Sequence, residues 1–252
     1  MSKVLVVPDS HLKTEVIERG LKLAEKLRAD YVVCLGDYFD DWGAIPAFYD
    51  KMVAYIKEKK RYNPDLILLM GNHELSYLGH KCSGFNPTVA KTLYEFLHDN
   101  YWFNLSAAID GVLYTHAGVC TDWATNNNVI GSTAMKYKLT KNAGADFVAD
   151  RLDRISSLDT FAQVGPERGG HTSPSPLWAD LTELVNDAIP NVKQVVGHTP
   201  VSQIEKLGKC WFVDVFSNGN DSDEYLLVRD GEPEVIHYKE ILEEKEWKVK
   251  TN

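Results

Sequence analysis

Near its start the chain reads Lys3-Val4-Leu5-Val6-Val7-Pro8-Asp9-Ser10-His11, an unbroken apolar run that ends in an acid and an imidazole. A continuous β-branched and leucine run without polar alternation predicts a strand covered on both faces, the habit of parallel sheets. The pattern returns twice. Residues 31–35 run into Gly36-Asp37-Tyr38-Phe39-Asp40, and residues 66–70 run into Gly71-Asn72-His73-Glu74. Between the first two, Val16, Ile17, Leu21, Leu23, Ala24 and Leu27 recur near helical spacing over 14–27. Between the second and third, Pro46 starts a helix that carries Met52, Val53 and Ile56 into the basic run 57–61. The order β–α–β–α–β predicts an α/β fold with a largely parallel sheet. In such sheets ligands gather beyond the carboxyl ends of the strands, where these polar clusters stand.

Further along, the pattern predicts a helix over 87–97 and a hairpin that turns at Asp110-Gly111. Its second strand, 112–115, delivers Thr115-His116-Ala117-Gly118. A helix is expected over 146–155, and a Gly/Pro-rich loop fills 165–176. The span 121–176 reads as an insertion or cap over the site within a single domain of residues 1–252. Residues 192–196 form another strand, ending in Gly197-His198-Thr199. Residues 210–216, 225–228 and 234–238 read as antiparallel strands, and the charged tail from 240 onward reads as peripheral.

With 252 residues, 44% hydrophobic and 25% charged, the chain can bury a substantial core and does not have a disordered composition. A net charge of −9 argues against nonspecific DNA binding, which depends on Lys and Arg neutralising phosphates. It does not exclude a phosphate substrate, because bound divalent ions reverse the local field. The four cysteines are scattered without metal-ligand spacing, as in a reducing compartment. No apolar run has the length of a membrane span, and the first strand begins at once without a leader pattern, so a cytoplasmic protein is expected.

The five strand-end clusters hold four carboxylates, an amide and four imidazoles, enough oxygen and nitrogen for two metal ions. Asp9 and His11 flank one residue and can face a single ion. Asp37 follows a glycine that lets the backbone turn beside a ligand, and its two oxygens can bridge two cations. Asn72 adds a neutral amide oxygen. His116 and His198 add imidazole nitrogen, and such mixed ligation suits Mn, Fe or Zn better than Ca or Mg.

In this order the clusters resemble the calcineurin-like metallophosphoesterase superfamily, whose signature is D-x-H, G-D-x-x-D, G-N-H-[D/E], a lone H and G-H-x. The resemblance implies a four-layer α/β/β/α sandwich with a dinuclear metal centre. It assigns Asp9, His11 and Asp37 to one metal, and Asp37, Asn72, His116 and His198 to the other. Manganese is the expected ion, with Fe, Zn, Ni or Co as alternatives. The block 115–118 and the stretch Pro176-Leu177-Trp178-Ala179-Asp180 are similar to those of the phosphoprotein phosphatase and bacterial dinucleotide-tetraphosphatase branch. Two positions depart from it. Asp41 stands where protein phosphatases have a phosphate-binding Arg, and Arg168 is the substitute considered. Pro200 stands where many phosphodiesterases have a further metal-binding His.

The expected reaction is in-line attack on phosphorus by a hydroxide bridging the metals. His73 matches the family's general acid, Asp40 the carboxylate that orients it, and Asn72 with His73 the substrate contacts. Phosphomonoesters, of phosphoprotein or nucleotide type, are the favoured substrates. A phosphodiesterase or nuclease is the alternative, and a non-catalytic binding scaffold the second alternative. Glu74 is expected to support its loop. His80, His98, His171 and His237 are read as surface or packing residues, and Asp214 and Asn218 as turn residues. Trp42, Tyr77, Phe85 and Trp123 are read as either cleft walls or core.

Overall fold

Strands β1 (Lys3–Val7), β2 (Tyr31–Cys34) and β3 (Leu66–Leu69) lie side by side and parallel, as three uninterrupted apolar runs require. They belong to a computed structural model that describes residues 2–130, 144–219 and 222–242, without the side chain of Asn218. Helices α1 (Thr14–Leu27) and α2 (Pro46–Tyr62) make the two crossovers. Short α3 (Asn72–Tyr77) and then α4 (Ala90–Asp99) follow β3 and lead to a two-residue strand, β4 (Phe103–Asn104), that extends the parallel run. Val16, Ile17 and Leu23 of α1, Met52 and Ile56 of α2, and Leu93 and Phe96 of α4 pack with the strands in one core.

The second sheet begins with a hairpin of β5 (Ser106–Ile109) and β6 (Val112–Thr115). Its turn residues Asp110 and Gly111 have φ of 49° and 76°, the two positive values that a two-residue hairpin turn of matching twist needs. Helices α5 (Thr121–Asn126), α6 (Ala145–Asp153) and α7 (Leu181–Asp187) precede β7 (Lys193–Val196), which is parallel to β6. Strands β8 (Glu205–Leu207) and β9 (Cys210–Phe212) complete the order β5-β6-β7-β9-β8. The chain then returns to the first sheet with β10 (Glu224–Arg229) and β11 (Glu232–His237), giving the order β11-β10-β1-β2-β3-β4, and ends in α8 (Tyr238–Leu242). Pro233 sits in the outermost strand, where a missing N–H costs no interior pairing.

Alternation along the second sheet makes the sandwich. Val112, Tyr114 and Val195 join the core shared with the first sheet. Leu113 and Val196 join a second core with Trp123, Val148, Leu152, Phe161 and Leu184 from the segments packed outside it. The layers are therefore α/β/β/α.

The strands expected at 225–228 and 234–238 do form, as β10 and β11, antiparallel to each other, with β10 antiparallel to β1 in the first sheet. Two expectations are corrected. The apolar stretch 210–216 is not one strand: β9 stops at Phe212 and pairs parallel with β7 and antiparallel only with β8. The helix expected from 87 starts at Ala90, because Asn86 Oδ1 accepts the Thr88 N–H at 3.0 Å and closes a turn there. Of the span 121–176, residues 131–143 lie outside the described residues; α5 and α6 belong to the outer layer. The tail is helical as far as Leu242, and its remainder also lies outside the described residues. No described helix is long and apolar enough to cross a membrane.

Candidate metal centre

Because β1, β2 and β3 run parallel, as do β6 and β7, their loops can meet at one edge of the sandwich, and hydrogen bonds join them there. The N–H groups of Ser10 and His11 donate to the Asp37 carbonyl at 3.2 and 2.9 Å, and the Leu12 N–H donates to the Tyr38 carbonyl at 2.8 Å. Other bonds cross between the sheets. His116 Nδ1 donates to the Leu35 carbonyl at 2.9 Å, and the His198 N–H donates to Asp9 Oδ2 at 3.0 Å. Glu74, fully buried, takes the N–H groups of Gly71, Asp37 and Tyr38 at 2.8–2.9 Å and so fastens the second loop to the third. That is the supporting role its position predicted.

The loop conformations are demanding. His11, Asp37, Asp40 and His198 all have positive φ, between 39° and 65°, which is uncommon outside glycine and clusters at functional sites. Gly36 has φ 109°, and a Cβ there would stand 2.6 Å from the Gly71 nitrogen. At Gly197 a Cβ would overlap the Asp9 carboxylate. Gly197 thus leaves the space into which the Asp9 carboxylate fits, as Gly71 does for Asp37 Oδ1.

Two groups of ligand atoms form around Asp37. His11, Asp37 and His73 offer atoms within 4.8 Å of one another, as do Asp37, His116 and His198. In the second group His116 Nε2 lies 2.9 Å from Asn72 Oδ1, 3.1 Å from His198 Nδ1 and 3.4 Å from Asp37 Oδ2. Three acceptor atoms thus face His116 Nε2, while its other nitrogen donates to the Leu35 carbonyl. His11 likewise donates Nδ1–H to the Asp40 carbonyl at 2.8 Å, which turns Nε2 toward Asp37 at 3.9 Å. Asp9 stands between the sheets, with Oδ2 on the His198 N–H and Oδ1 buried without a donor. His198 Nε2 is also buried without a partner.

Charge follows the geometry. Burial would raise the Asp37 carboxyl, but the imidazoles of His116, His73 and His11 hold it well below the usual carboxylate range. Burial, and then the neighbouring Asp214, push Asp9 well above that range. Burial opposes protonation of His116, yet Asp37 and Asp9 raise it to about 9. Burial, His116 and Arg168 hold His198 well below its ordinary value and thus neutral, as a ligand must be. The anionic pocket draws protons onto His116 and His73, the charge that divalent cations would otherwise supply. Orphaned buried oxygens and converging lone pairs of mixed O/N type fit such cations.

Residues 2–214 match the family model of the calcineurin-like phosphoesterases. The chain belongs to that family. It is a hydrolase of phosphoric ester bonds, and the family's dependence on two metals agrees with two ligand groups sharing one aspartate. Among solved structures, the cold-active protein-tyrosine phosphatase of a psychrophile, Shewanella sp., is similar at 20% identity and a TM-score of 0.56. That alignment covers 94% of this chain and 78% of the phosphatase. A metallophosphoesterase from Sphaerobacter thermophilus is 14% identical with a TM-score of 0.48, covering 97% and 94% of the two chains. YfcE, a phosphoesterase from E. coli, is 17% identical with a TM-score of 0.44, covering 94% of each. At 20% identity the likeness to the Shewanella phosphatase is one of fold alone. No curated protein matches the chain.

In this calcineurin-like phosphoesterase the centre opens into a cleft of about 1100 Å³. His73 lines it, with Nδ1 donating to Asp40 Oδ2 at 2.9 Å and Nε2 4.0 Å from Asp37. Asp40 is buried, and its Oδ1 accepts the hydroxyls of Tyr49, at 3.0 Å, and Tyr77. Burial opposes the charge on His73, but Asp37 and the bond to Asp40 raise it to about 12. Arg168 stands in the cleft wall, its Nε 3.1 Å from Asp180 Oδ2 and its Nη2 donating to Thr199 Oγ1 at 3.1 Å. Asp41 is exposed at the cleft rim beside Trp42, which is 90% exposed. Phe85 also lines the cleft, whereas Tyr77 serves Asp40 and Trp123 is core. His80, His98 and His237 pair with Asp159, Asp99 and Asp223, and His171 is exposed.

Sequence reasoning missed Tyr49 as a partner of Asp40 and read Asp214 only as a turn residue. Asp214 does close a turn, accepting the Ser217 N–H at 3.2 Å, but it also lines the cleft. The helical spacing of Tyr49 with Met52 and Ile56 disguised it as one more core position.

Proposed function

We propose that this chain hydrolyses phosphate monoesters, of phosphoprotein or nucleotide type, in the cytoplasm. One divalent cation would be held by Asp9, His11 and Asp37, and a second by Asp37, Asn72, His116 and His198, with manganese the preferred ion. The observation that carries the reading is the His73–Asp40 pair, a fixed proton donor facing a cleft beside the shared aspartate. When bound, the cations would lower the pKa of a water and neutralise phosphoryl oxygens.

The chain's own residues supply the rest. Asp40 accepts Nδ1–H, so the proton that His73 can give away sits on Nε2, the nitrogen nearer Asp37. Two tyrosine hydroxyls fix Asp40 and keep it an acceptor. His73 then protonates the leaving oxygen as the phosphorus–oxygen bond breaks, and solvent returns the proton. Arg168, held by Asp180 and Thr199, offers guanidinium donors to a terminal phosphate in place of the Arg that Asp41 replaces. The motifs at 115–118 and 176–180 support the phosphoprotein phosphatase and dinucleotide-tetraphosphatase branch.

The test compares leaving groups. His73→Asn is expected to slow an alkyl phosphate by about 10²–10⁴-fold, the usual worth of a positioned acid. It should slow p-nitrophenyl phosphate far less, because p-nitrophenolate leaves without a proton. Equal losses on both substrates would remove His73 from the acid role, and preference of the wild type for bis-p-nitrophenyl phosphate would make the enzyme a diesterase.

A further inference from the structure

The last metal motif ends in Thr199-Pro200, and proline has no side-chain donor for a cation. Another carboxylate lies beside this position. The Val201 N–H donates to the Asp214 carbonyl at 2.9 Å, which docks residue 214 directly against the motif. Asp214 is 1% exposed and lines the same cleft as His11 and Asp37. Its Oδ1 is used by the Ser217 N–H. Its Oδ2 is buried and takes no hydrogen bond from the described residues. Asp9 Oδ1 is in the same condition, and the charges of Asp9, Asp37 and Asp214 act against one another. Lys13, a cation on the same cleft, gives a hydrogen bond from its ammonium to the Phe216 carbonyl at 2.8 Å.

A turn needs one oxygen of Asp214. Burying the second among two further carboxylates is strongly unfavourable unless a cation faces it. We infer that Asp214 is a further ligand residue of the cation held by Asp9 and His11, its Oδ2 supplying the donor that Pro200 cannot. The inference rests on the two-cation reading above. It also gives that site a chemical character: a carboxylate in place of an imidazole makes it harder and favours Mn²⁺ over Zn²⁺.

The experiment titrates the metal-stripped full chain with Mn²⁺ by calorimetry, wild type against Asp214→Asn. Asparagine keeps an oxygen for the Ser217 N–H, so the turn survives while the charge goes. Wild type is expected to bind two Mn²⁺. In the variant one of the two affinities should fall by about 10–100-fold, the usual cost of altering a metal's supporting shell, and the other should hold. Unchanged affinities at both sites would overturn the role of Asp214 and leave the two-cation reading standing. Fewer than two sites in the wild type would overturn both. If Asp214→Asn does not fold, Asp214→Glu keeps the charge but displaces the oxygen, and the same two readings apply.

Discussion

Asp37 carries more of the site than any other side chain, because His11, His73 and His116 all approach its Oδ2 while its backbone is gripped by Glu74. Its conformation depends on Gly36. An alanine at 36 would combine a left-handed φ of 109° with a Cβ 2.6 Å from the Gly71 nitrogen. Gly36→Ala is therefore expected to cost at least about 1–3 kcal/mol and to abolish Mn²⁺ binding by pushing two motif loops apart. Denaturant unfolding and a metal titration would check this, and a stable variant with intact binding would contradict it. Asp40 offers a finer probe. Tyr77→Phe removes one of the two hydroxyls on its Oδ1, a hydrogen bond to a charged group worth about 1.5–3 kcal/mol. Turnover of an alkyl phosphate should fall roughly 10-fold or more, in line with that energy, while Mn²⁺ affinity stays as it was. Loss of metal affinity would instead make Tyr77 part of the scaffold.

At the level of elements, the sequence was most readable where the chemistry is local. Strands β1 to β3 are bare apolar runs, α1 has regular apolar spacing, and Asp110-Gly111 is a turn by backbone preference alone. The motif residues could be found because each immediately follows its strand. Pairing partners are a different matter. Nothing in Tyr225-Leu226-Leu227-Val228 says that it will lie against β1, more than two hundred residues away in sequence, rather than beside β9. Asp214 and Tyr49 were opaque for the same reason: each reaches the site through tertiary contact, not through a motif. The outer layer shows what remains of the fold when the site is set aside. Leu152 of α6 is fully buried in the second core with Trp123 and Phe161. Leu152→Ala should destabilise by about 2–5 kcal/mol without moving either Mn²⁺ affinity, as thermal unfolding with a parallel metal titration would show.

For the whole molecule, the candidate metal centre is a store of repulsion that protons or cations must relieve. Glu74 is raised by burial, and then by Asp37, to about 7, so its contribution to stability is complete below 4.5 and lost as pH rises through 7. Against burial, Asp37 raises His116 to about 9 and His73 to about 12, so their contributions are complete below 6.5 and lost as pH rises through those values. Between pH 7 and 9, above the window in which Glu74 acts, the two histidine shifts act in one direction. The unfolding midpoint of metal-free protein should therefore fall across that window, and Mn²⁺ should restore it most at pH 9, where fewer protons compete for the ligands. A midpoint that rises from pH 7 to 9 without metal would contradict the charge account. The most direct test is turnover of p-nitrophenyl phosphate by metal-stripped protein resupplied with Mn²⁺, with Asp37→Asn alongside. Activity that returns with Mn²⁺ and is lost in the variant is the predicted result. Activity that survives metal removal, or persists in Asp37→Asn, would contradict a phosphoesterase built around a shared aspartate.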